Sequence, residues 1–299
     1  MAAPEATLDE FGGAHADYAR AARRNRFLWA GKGIASYLVL VAFAVIAVGP
    51  FIYLLSPAFR DSVSIFSYPP EWIPESFYTG NFTFLFQDTH YLRWALNTFI
   101  FASAVTIITL FIDSLAGYAF ARLRFPGKQV LFVLILATLM VPVAALLAPL
   151  YLTVKSLGLL NSYPGLILPM IVSPLGVFMM RQFISTLPEG IYEAARLDGA
   201  SEWEVYRRIV LPLIKPALVV LGIFVFMTQW VNFLWPLVAV TNDEMRTLTV
   251  GVAALEGQFV TNWGIIAAAS LLTMVPITIV FLIFQRWFVR ASLAGALKE

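Results

Sequence analysis

The sequence predicts an all-α integral membrane protein whose helical bundle crosses the bilayer six times. Three observations lead to this prediction. Of the 299 residues, 60% are hydrophobic and 13% are charged, whereas a soluble domain carries about 25% charged residues. Six apolar stretches are each long enough to cross a bilayer as a helix. The basic residues also fall mainly on one side of the resulting topology.

Composition excludes several other classes of protein. Cysteine is absent, which removes disulfide frameworks, thiolate metal sites and thiol catalysis. The 17 Pro and 18 Gly residues are too few for a collagen-like or low-complexity chain. The net charge of +2 is the small difference between 20 basic and 18 acidic residues, so it says little about nucleic-acid or acidic partners. We expect no nucleic-acid partner.

The six stretches differ in how clearly they predict a membrane span. The second, residues 95–120, is interrupted only by Asp113. The fourth, residues 157–180, contains three prolines and is therefore predicted to be kinked or partly re-entrant. The uncharged stretches are residues 34–55, 130–152, 216–240 and 263–284.

The distribution of basic residues predicts that both termini lie in the cytoplasm. Sixteen of the 20 Lys and Arg residues fall on the side of the N-terminus, and four fall on the other side. We therefore expect a multi-pass protein of the inner, cytoplasmic membrane, with no cleaved signal peptide. Its predicted parts are a cytoplasmic N-terminal tail (1–33), one six-helix transmembrane bundle (34–290) and a cytoplasmic C-terminal tail (291–299).

Residues 185–215 form the one predicted cytoplasmic loop that is long enough to carry structure. Pro188 suits the first turn of a short helix, and Gly199 suits its left-handed end. Ser201 and Glu204 have the spacing of a capping box, which predicts the start of a second helix. The loop is therefore expected to be a helix–turn–helix.

The second helix of this loop is predicted to end at Pro212, with Trp203, Tyr206 and Val210 on one face. A connection between two helices needs only about 2–8 residues. A loop of this length with its own helices therefore suggests a further role. The small side chains of Ala194 and Ala195 would let another protein approach closely, which favours a docking element. The alternative is an ordinary solvated pair of helices.

The spacing of residues in this loop resembles a known motif. It is similar to the EAA loop of binding-protein-dependent ABC importer permeases, and the resemblance covers roughly residues 34–297. Residues 117–127, which read GYAFARLRFPG, resemble the carbohydrate-uptake branch of that family, of the maltose transporter MalG type. The positions that match the motif are Glu193, Ala194, Ala195, Gly199, Ile209, Leu211 and Pro212.

The resemblance implies that the loop contains a coupling helix seated on a separate ATPase. It implies a heterodimer with a second, homologous permease, two ATP-binding subunits, an extracytoplasmic solute-binding protein and surrounding membrane lipid. No cofactor is expected in this chain, because ATP and Mg²⁺ would be bound by the ATPase. The implied coupling residues are Glu193, Ala194, Ala195, Leu197, Asp198, Gly199, Ile209, Leu211 and Pro212.

The sequence contains no recognisable enzyme or metal site. No G-x-x-x-x-G-K-[ST] segment is present to bind a nucleotide. The only histidines, His15 and His90, lie far apart in the sequence and do not suggest a metal pair. We therefore predict that this chain is not an enzyme and binds no metal.

Polar residues within the spans are candidates for the translocation path, because each is costly unless it faces protein or water. Asp113 would serve a substrate or proton path, pair with a partner's arginine, or hydrogen-bond within the bundle. Gln229, Trp230 and Asn232 suit a sugar ring, or equally contacts between helices. Val231 departs from the family's usual pattern, in which an acidic or amide residue stands between the Trp and the Asn.

The resulting functional prediction is a permease that forms half of the translocation pore of an ATP-driven importer. The resemblance implies a carbohydrate substrate, most readily an oligosaccharide, with a glycerol-phosphate type of substrate as the nearest alternative. A self-contained transporter driven by an ion gradient, with Asp113 as its proton site, is a second class. An integral-membrane enzyme is a third class, for which the sequence offers no catalytic cluster.

Overall fold

The computed structural model of the protein describes residues 36–61, 77–256 and 261–296, with side-chain surroundings as far as Arg286. All regular elements in these ranges are helical, as predicted. The tail predicted for residues 1–33 lies outside them. The α-helices are α1 (Ser36–Ala58), α2 (Gly80–Gln87), α3 (Tyr91–Arg122), α4 (Lys128–Ala137), α5 (Val143–Ser156), α6 (Tyr163–Ile167), α7 (Pro174–Ser185), α8 (Glu189–Leu197), α9 (Glu202–Glu204), α10 (Leu211–Leu213), α11 (Lys215–Trp230), α12 (Leu234–Ala239), α13 (Leu248–Ala254) and α14 (Trp263–Ala296).

Three of these helices are long and apolar enough to cross a membrane by themselves: α1, α3 and the first part of α14, Trp263–Arg286. Three further candidates are pairs of helices joined at a bend. The described residues therefore provide six candidate spans only if each bent pair counts as one span. Helix α14 continues to Ala296, so the predicted boundary between bundle and C-terminal tail at residue 290 falls within a helix.

Residues 130–152, predicted as a membrane span, are broken in the structure. The segments Lys128–Met140 and Val143–Ser156 meet at an angle of 103°. Pro142 explains the break, because it lacks an N–H group and disfavours helical geometry at the preceding residue. Val141 is accordingly extended, with ψ 120°.

The other two bent pairs have different outcomes. The kink predicted within residues 157–180 is confirmed, because Tyr163–Met170 and Pro174–Ser185 meet at 48°. The predicted span 216–240 is shorter than expected: α11 ends at Trp230, and a break precedes α12. At the start of α11, Glu202–Leu213 joins it at an angle of 76°.

Helix α3 lies at the centre of the unit formed by residues 57–299, and it packs most extensively against α7 and then α11. A glycine permits the close approach to α7. A Cβ atom on Gly117 would lie 2.5 Å from Met180 Cβ and 2.9 Å from the backbone N of Arg181. The two helices therefore pack with backbone against backbone at this point.

Candidate functional site

The first half of the 185–215 loop ends in a left-handed turn, as predicted. Helix α8 is followed by Gly199 at φ 77°. The Gly199 N–H donates to Arg196 O, and the Ala200 N–H donates to Ala195 O, each at 3.0 Å. This pair of bonds is a Schellman motif, which satisfies the last carbonyls of the helix and needs a residue at positive φ.

The second half of the loop begins with the predicted capping box. The Ser201 hydroxyl accepts from Glu204 N at 3.3 Å, and Glu204 accepts from Ser201 N at 3.1 Å. The chain then widens into a π-helical turn, Val205–Val210. Pro212 does not end this helix as expected, because helical geometry continues to Leu213 and the break falls at Ile214.

An ion pair joins the two halves of the loop. Arg196 donates to Glu202 Oε1 from Nε at 3.2 Å and from Nη2 at 3.1 Å. The other carboxylate oxygen of Glu202 accepts from the Tyr118 hydroxyl of α3 at 2.5 Å. One carboxylate thus binds α8, the second helix and α3 together.

Arg122, the last residue of α3, holds the first half of the loop. Its guanidinium donates to the carbonyls of Ile184 and Leu187 and forms an ion pair with Glu189. It also lies 4.1 Å from the centre of the Tyr192 ring. Burial raises the pKa of the Tyr192 phenol, with the neighbouring Arg122 acting against this shift, so the ring stays neutral beside the cation.

The structure divides the predicted coupling residues into two groups. Ala195 is buried, and Ile209 and Leu211 are half-buried, all packed in the main hydrophobic core. Their placement indicates that they support the loop from inside. The residues that face outward are Glu193, Ala194, Leu197, Asp198, Gly199 and Pro212.

Leu197 is the most conspicuous of the outward residues. It is 89% exposed at the end of α8, although the loop beneath it is packed into the core. A large apolar side chain exposed on a structured loop makes Leu197 a candidate for a contact with another protein. Trp203, 51% exposed on the second helix, adds to the apolar surface of the same loop.

Asp113 lies in the interior, fully buried, and faces the start of α7. Its Oδ1 accepts from the Ser173 N–H at 3.3 Å, and its Oδ2 has no hydrogen-bond partner among the described residues. A Cβ atom on Gly176 would lie 1.9 Å from that Oδ2. Of the alternatives raised for Asp113, the structure therefore displays a hydrogen bond within the bundle.

Replacing Asp113 with asparagine is expected to leave uptake and its pH dependence nearly unchanged. The amide oxygen retains the bond from Ser173 N, and the substitution removes a carboxylate whose second oxygen is unpaired. Initial uptake rates measured between pH 6 and 8 would check this. A large loss of uptake, or a shifted pH profile, would instead favour a proton or substrate path through Asp113.

The other three predicted path residues lie together at the end of α11. The Asn232 amide donates to Gln229 Oε1 at 2.9 Å, although Asn232 lies outside the helix. Trp230 is buried and donates to Thr273 O at 3.1 Å. Among the described residues no hydrogen bond joins this group to Asp113, which lies near Leu221, about two turns earlier along α11.

A groove of about 500 Å³ opens between α11, α13 and α14. Trp230 lies on its wall, and the sequence analysis did not identify the rest of it. The groove is largely apolar and has aromatic, hydroxyl and carboxylate groups around it, and Glu256 is the one charged residue among the described residues that line it. Its lining includes Trp230, Phe233, Thr249, Glu256, Trp263 and Ser270.

The contacts between the loop and α3 were not found from the sequence. Tyr118 and Arg122 fall within the family-like segment 117–127, but their partners Glu202 and Glu189 are 84 and 67 residues away. The only signal available was the presence of polar residues at the end of an apolar helix. Among the described residues no group of three His, Asp or Glu side chains is arranged to hold a metal ion.

Residues 113–292 match the family described as "Binding-protein-dependent transport system inner membrane component". The chain is also 36% identical to the arabinooligosaccharides transport system permease protein AraQ of Halalkalibacterium halodurans, over 89% of this chain and 97% of that protein. The chain belongs to this family. The prediction of a permease of a binding-protein-dependent ABC importer in the inner membrane is therefore confirmed.

The permease is also similar to a second transport permease and to a solved transporter structure. The sn-glycerol-3-phosphate transport system permease protein UgpE of Pectobacterium atrosepticum is 34% identical, over 87% of the permease and 95% of that protein. The crystal structure of a bacterial ABC transporter involved in the import of alginate has the same fold, with a TM-score of 0.77 at 21% identity. The structural match covers 86% of the permease and 96% of the alginate transporter's chain.

Proposed function

We propose that the permease forms half of the pore of an ATP-driven importer for a carbohydrate, most readily an oligosaccharide. A second, homologous permease would form the other half of the pore. Two ATPase subunits would bind in the cytoplasm, where both termini would also lie, and a solute-binding protein would deliver the substrate from outside. Catalysis, together with ATP and Mg²⁺, would belong to the ATPase subunits.

The observation that supports this proposal best is the outward group on the 185–215 loop. Leu197 is 89% exposed, and Glu193 is exposed with no hydrogen bond or ion pair to any described residue. An apolar anchor beside an unpaired carboxylate suits a cleft that has an apolar floor and a basic rim. The buried residues beneath them keep both in place.

The proposed carbohydrate is supported by the chemistry of the groove and by the relatives. Exposed Trp263 and Phe233 offer apolar faces to a sugar ring, and Thr249 and Ser270 carry hydroxyls. One relative is an arabinooligosaccharide permease, and a second, from Streptomyces coelicolor, is a diacetylchitobiose uptake permease that is 31% identical. A glycerol-phosphate type of substrate is the second candidate, which the likeness to UgpE favours.

The two substrate classes differ in charge. No lysine or arginine lines the described part of the groove, and its one charged residue is Glu256. A phosphate group would find no counter-charge there, which favours the neutral sugar. Uptake of radiolabelled oligosaccharides and of glycerol 3-phosphate by cells that express the complete transporter would separate the two.

Replacing Leu197 with glutamate is expected to detach the ATPase subunit. Loss of a central apolar anchor costs about 2 kcal/mol or more, so retention of the ATPase should fall about 30-fold. The measurement is co-purification in mild detergent, with the ATPase quantified by immunoblot. Leu197→Met is the matched control, because it keeps a large apolar side chain at the same position. Normal retention in the Leu197 variant would contradict docking through this residue.

A further inference from the structure

Three polar residues follow one another along the last two turns of α3: Ser114, Tyr118 and Arg122. Their spacing of four places them on one face of the helix. Each contacts a different part of the 185–215 loop. The Ser114 and Tyr206 hydroxyls are hydrogen-bonded at 2.8 Å. We call these three residues, Ser114, Tyr118 and Arg122, the α3 stripe.

Arg122 is the most extensively bonded member of the α3 stripe. Its side chain is only 11% exposed, and its guanidinium bonds two carbonyls and a carboxylate at the junction of α7 and α8. A guanidinium shared in this way is stronger and geometrically more specific than a single neutral hydrogen bond. Arg124, two residues later, is exposed and makes no hydrogen bond or ion pair to a described residue.

The direct connection from the loop to the bundle is not straight. The second half of the loop contains the π-helical turn Val205–Val210, and it meets α11 at 76° after Ile214. A bent junction is a weak route for a displacement along the helix axis, because it yields at the bend. Helix α3, in contrast, is continuous from Tyr91 to Arg122.

The other end of α3 is attached to a second loop, residues 243–248. The Asn97 amide donates to Glu244 O at 2.7 Å and to Arg246 O at 2.9 Å. Trp94 Nε1 donates to Asp243 O at 2.9 Å, and the Leu248 N–H donates to the Thr98 hydroxyl. Trp94 and Arg122 are about 42 Å apart along a helix that rises 1.5 Å per residue.

We propose that α3 is the transmission element of the importer, with the α3 stripe as its joint to the coupling loop. This inference rests on the proposed function. A displacement imposed on the loop by an ATPase enters α3 through Arg122, Tyr118 and Ser114. It reaches residues 243–248 at the far end through Trp94, Asn97 and Thr98. Arg122 is thus a positioning residue for coupling and touches no substrate.

Replacing Arg122 with alanine is expected to uncouple transport from ATP hydrolysis. The outward group remains in place to hold the ATPase, but the displacement of the loop is no longer passed on to α3. The number of substrate molecules imported per ATP should fall about tenfold, as expected when one charge-assisted hydrogen bond is lost. The measurement is uptake and ATP hydrolysis by the complete transporter in proteoliposomes.

Three further variants sharpen this experiment. Arg124→Ala, the matched control, should leave the ratio of import to hydrolysis unchanged. Arg122→Lys keeps the positive charge but loses the planar guanidinium that can bond several acceptors at once. Its ratio of import to hydrolysis should lie between those of Arg122→Ala and the unaltered permease. Tyr118→Phe keeps the ring against Tyr206, whose centroid lies 5.6 Å away, and loses only the bond to Glu202. It should lower the ratio about threefold, as expected for a single hydrogen bond.

A distance measurement tests the joint directly. The chain has no cysteine, so spin labels on Gly190→Cys and Ile107→Cys would be the only ones present on this subunit. Gly190 has open space around it, and Ile107 is 68% exposed on α3. The distance between the labels should be the same with and without ATP in the otherwise unchanged protein. It should shift on ATP binding when Arg122 is alanine.

The outcomes separate this inference from the proposed function. If the unaltered permease does not retain an ATPase, the proposed function fails. If it retains one, and Arg122→Ala imports as much substrate per ATP as Arg124→Ala, the joint is overturned. If Arg122→Ala instead releases the ATPase, Arg122 only maintains the shape of the loop, which also overturns the joint.

Discussion

Replacing Gly117 with leucine is expected to prevent stable folding of the permease. The added Cβ would lie 2.5 Å from Met180 Cβ and 3.0 Å from the Met180 backbone carbon. Backbone atoms of α7 cannot move aside as a side-chain end can, so α3 and α7 would have to separate. Overpacking of a core costs about 1–3 kcal/mol and occasionally more, and we expect this site at the upper end.

The measurement is the amount of monodisperse protein extracted from the membrane, together with its thermal unfolding midpoint. Gly49→Leu is the control, because a Cβ there meets nothing within 4 Å. It adds the same apolar volume to a membrane-spanning helix without a clash. Equal yields and midpoints for the two variants would mean that α3 and α7 do not pack as closely as the structure has them.

The local geometry of the 185–215 loop was predictable because its signals are local. Gly199 marks the left-handed turn, and the Ser201–Glu204 pair marks the next helix, whatever surrounds them. The break in the third span also had a local signal, Pro142, which the absence of charge in residues 130–152 obscured. Hydropathy reports that a segment is apolar, and it does not report whether that segment is straight.

The attachment of the loop to α3 was not predictable in the same way. Which arginine meets Glu189 depends on how α3, α7 and α8 are arranged in space, and Arg122 and Arg124 are equivalent by composition. One is 11% exposed with several partners, and the other is exposed with none among the described residues. Similarly, nothing in the sequence around Asp113 indicated that its carboxylate accepts a hydrogen bond from Ser173 N, just before α7.

The motif Glu193–Ala194–Ala195 combines two physical roles that its sequence pattern does not separate. Ala195 is buried and contributes to the same hydrophobic core as Tyr192 and Val210. Glu193 and Ala194, its immediate neighbours, face outward. Substitutions at Ala195 should therefore act through stability, and substitutions at Glu193 through the partner, although the family pattern treats the three as one unit.

Glu193→Lys and Gly199→Val are expected to abolish uptake while the permease remains folded in the membrane. Glu193 has no bond to any described residue, so reversing its charge acts on the partner and not on the fold. Gly199 is at φ 77°, a conformation that costs a β-branched residue about 1–3 kcal/mol. The turn would relax, and the exposed end of α8 with Leu197 would move.

Controls within the same loop distinguish these effects from a general disturbance. Gly190→Val lies on α8 at an ordinary φ with open space around it and should transport normally. Glu193→Gln removes the charge without reversing it and should retain part of the uptake. The readouts are initial uptake rate and the level of permease in the membrane. Normal uptake by both Glu193→Lys and Gly199→Val would contradict docking of the ATPase on this loop, because the two variants alter it by independent means.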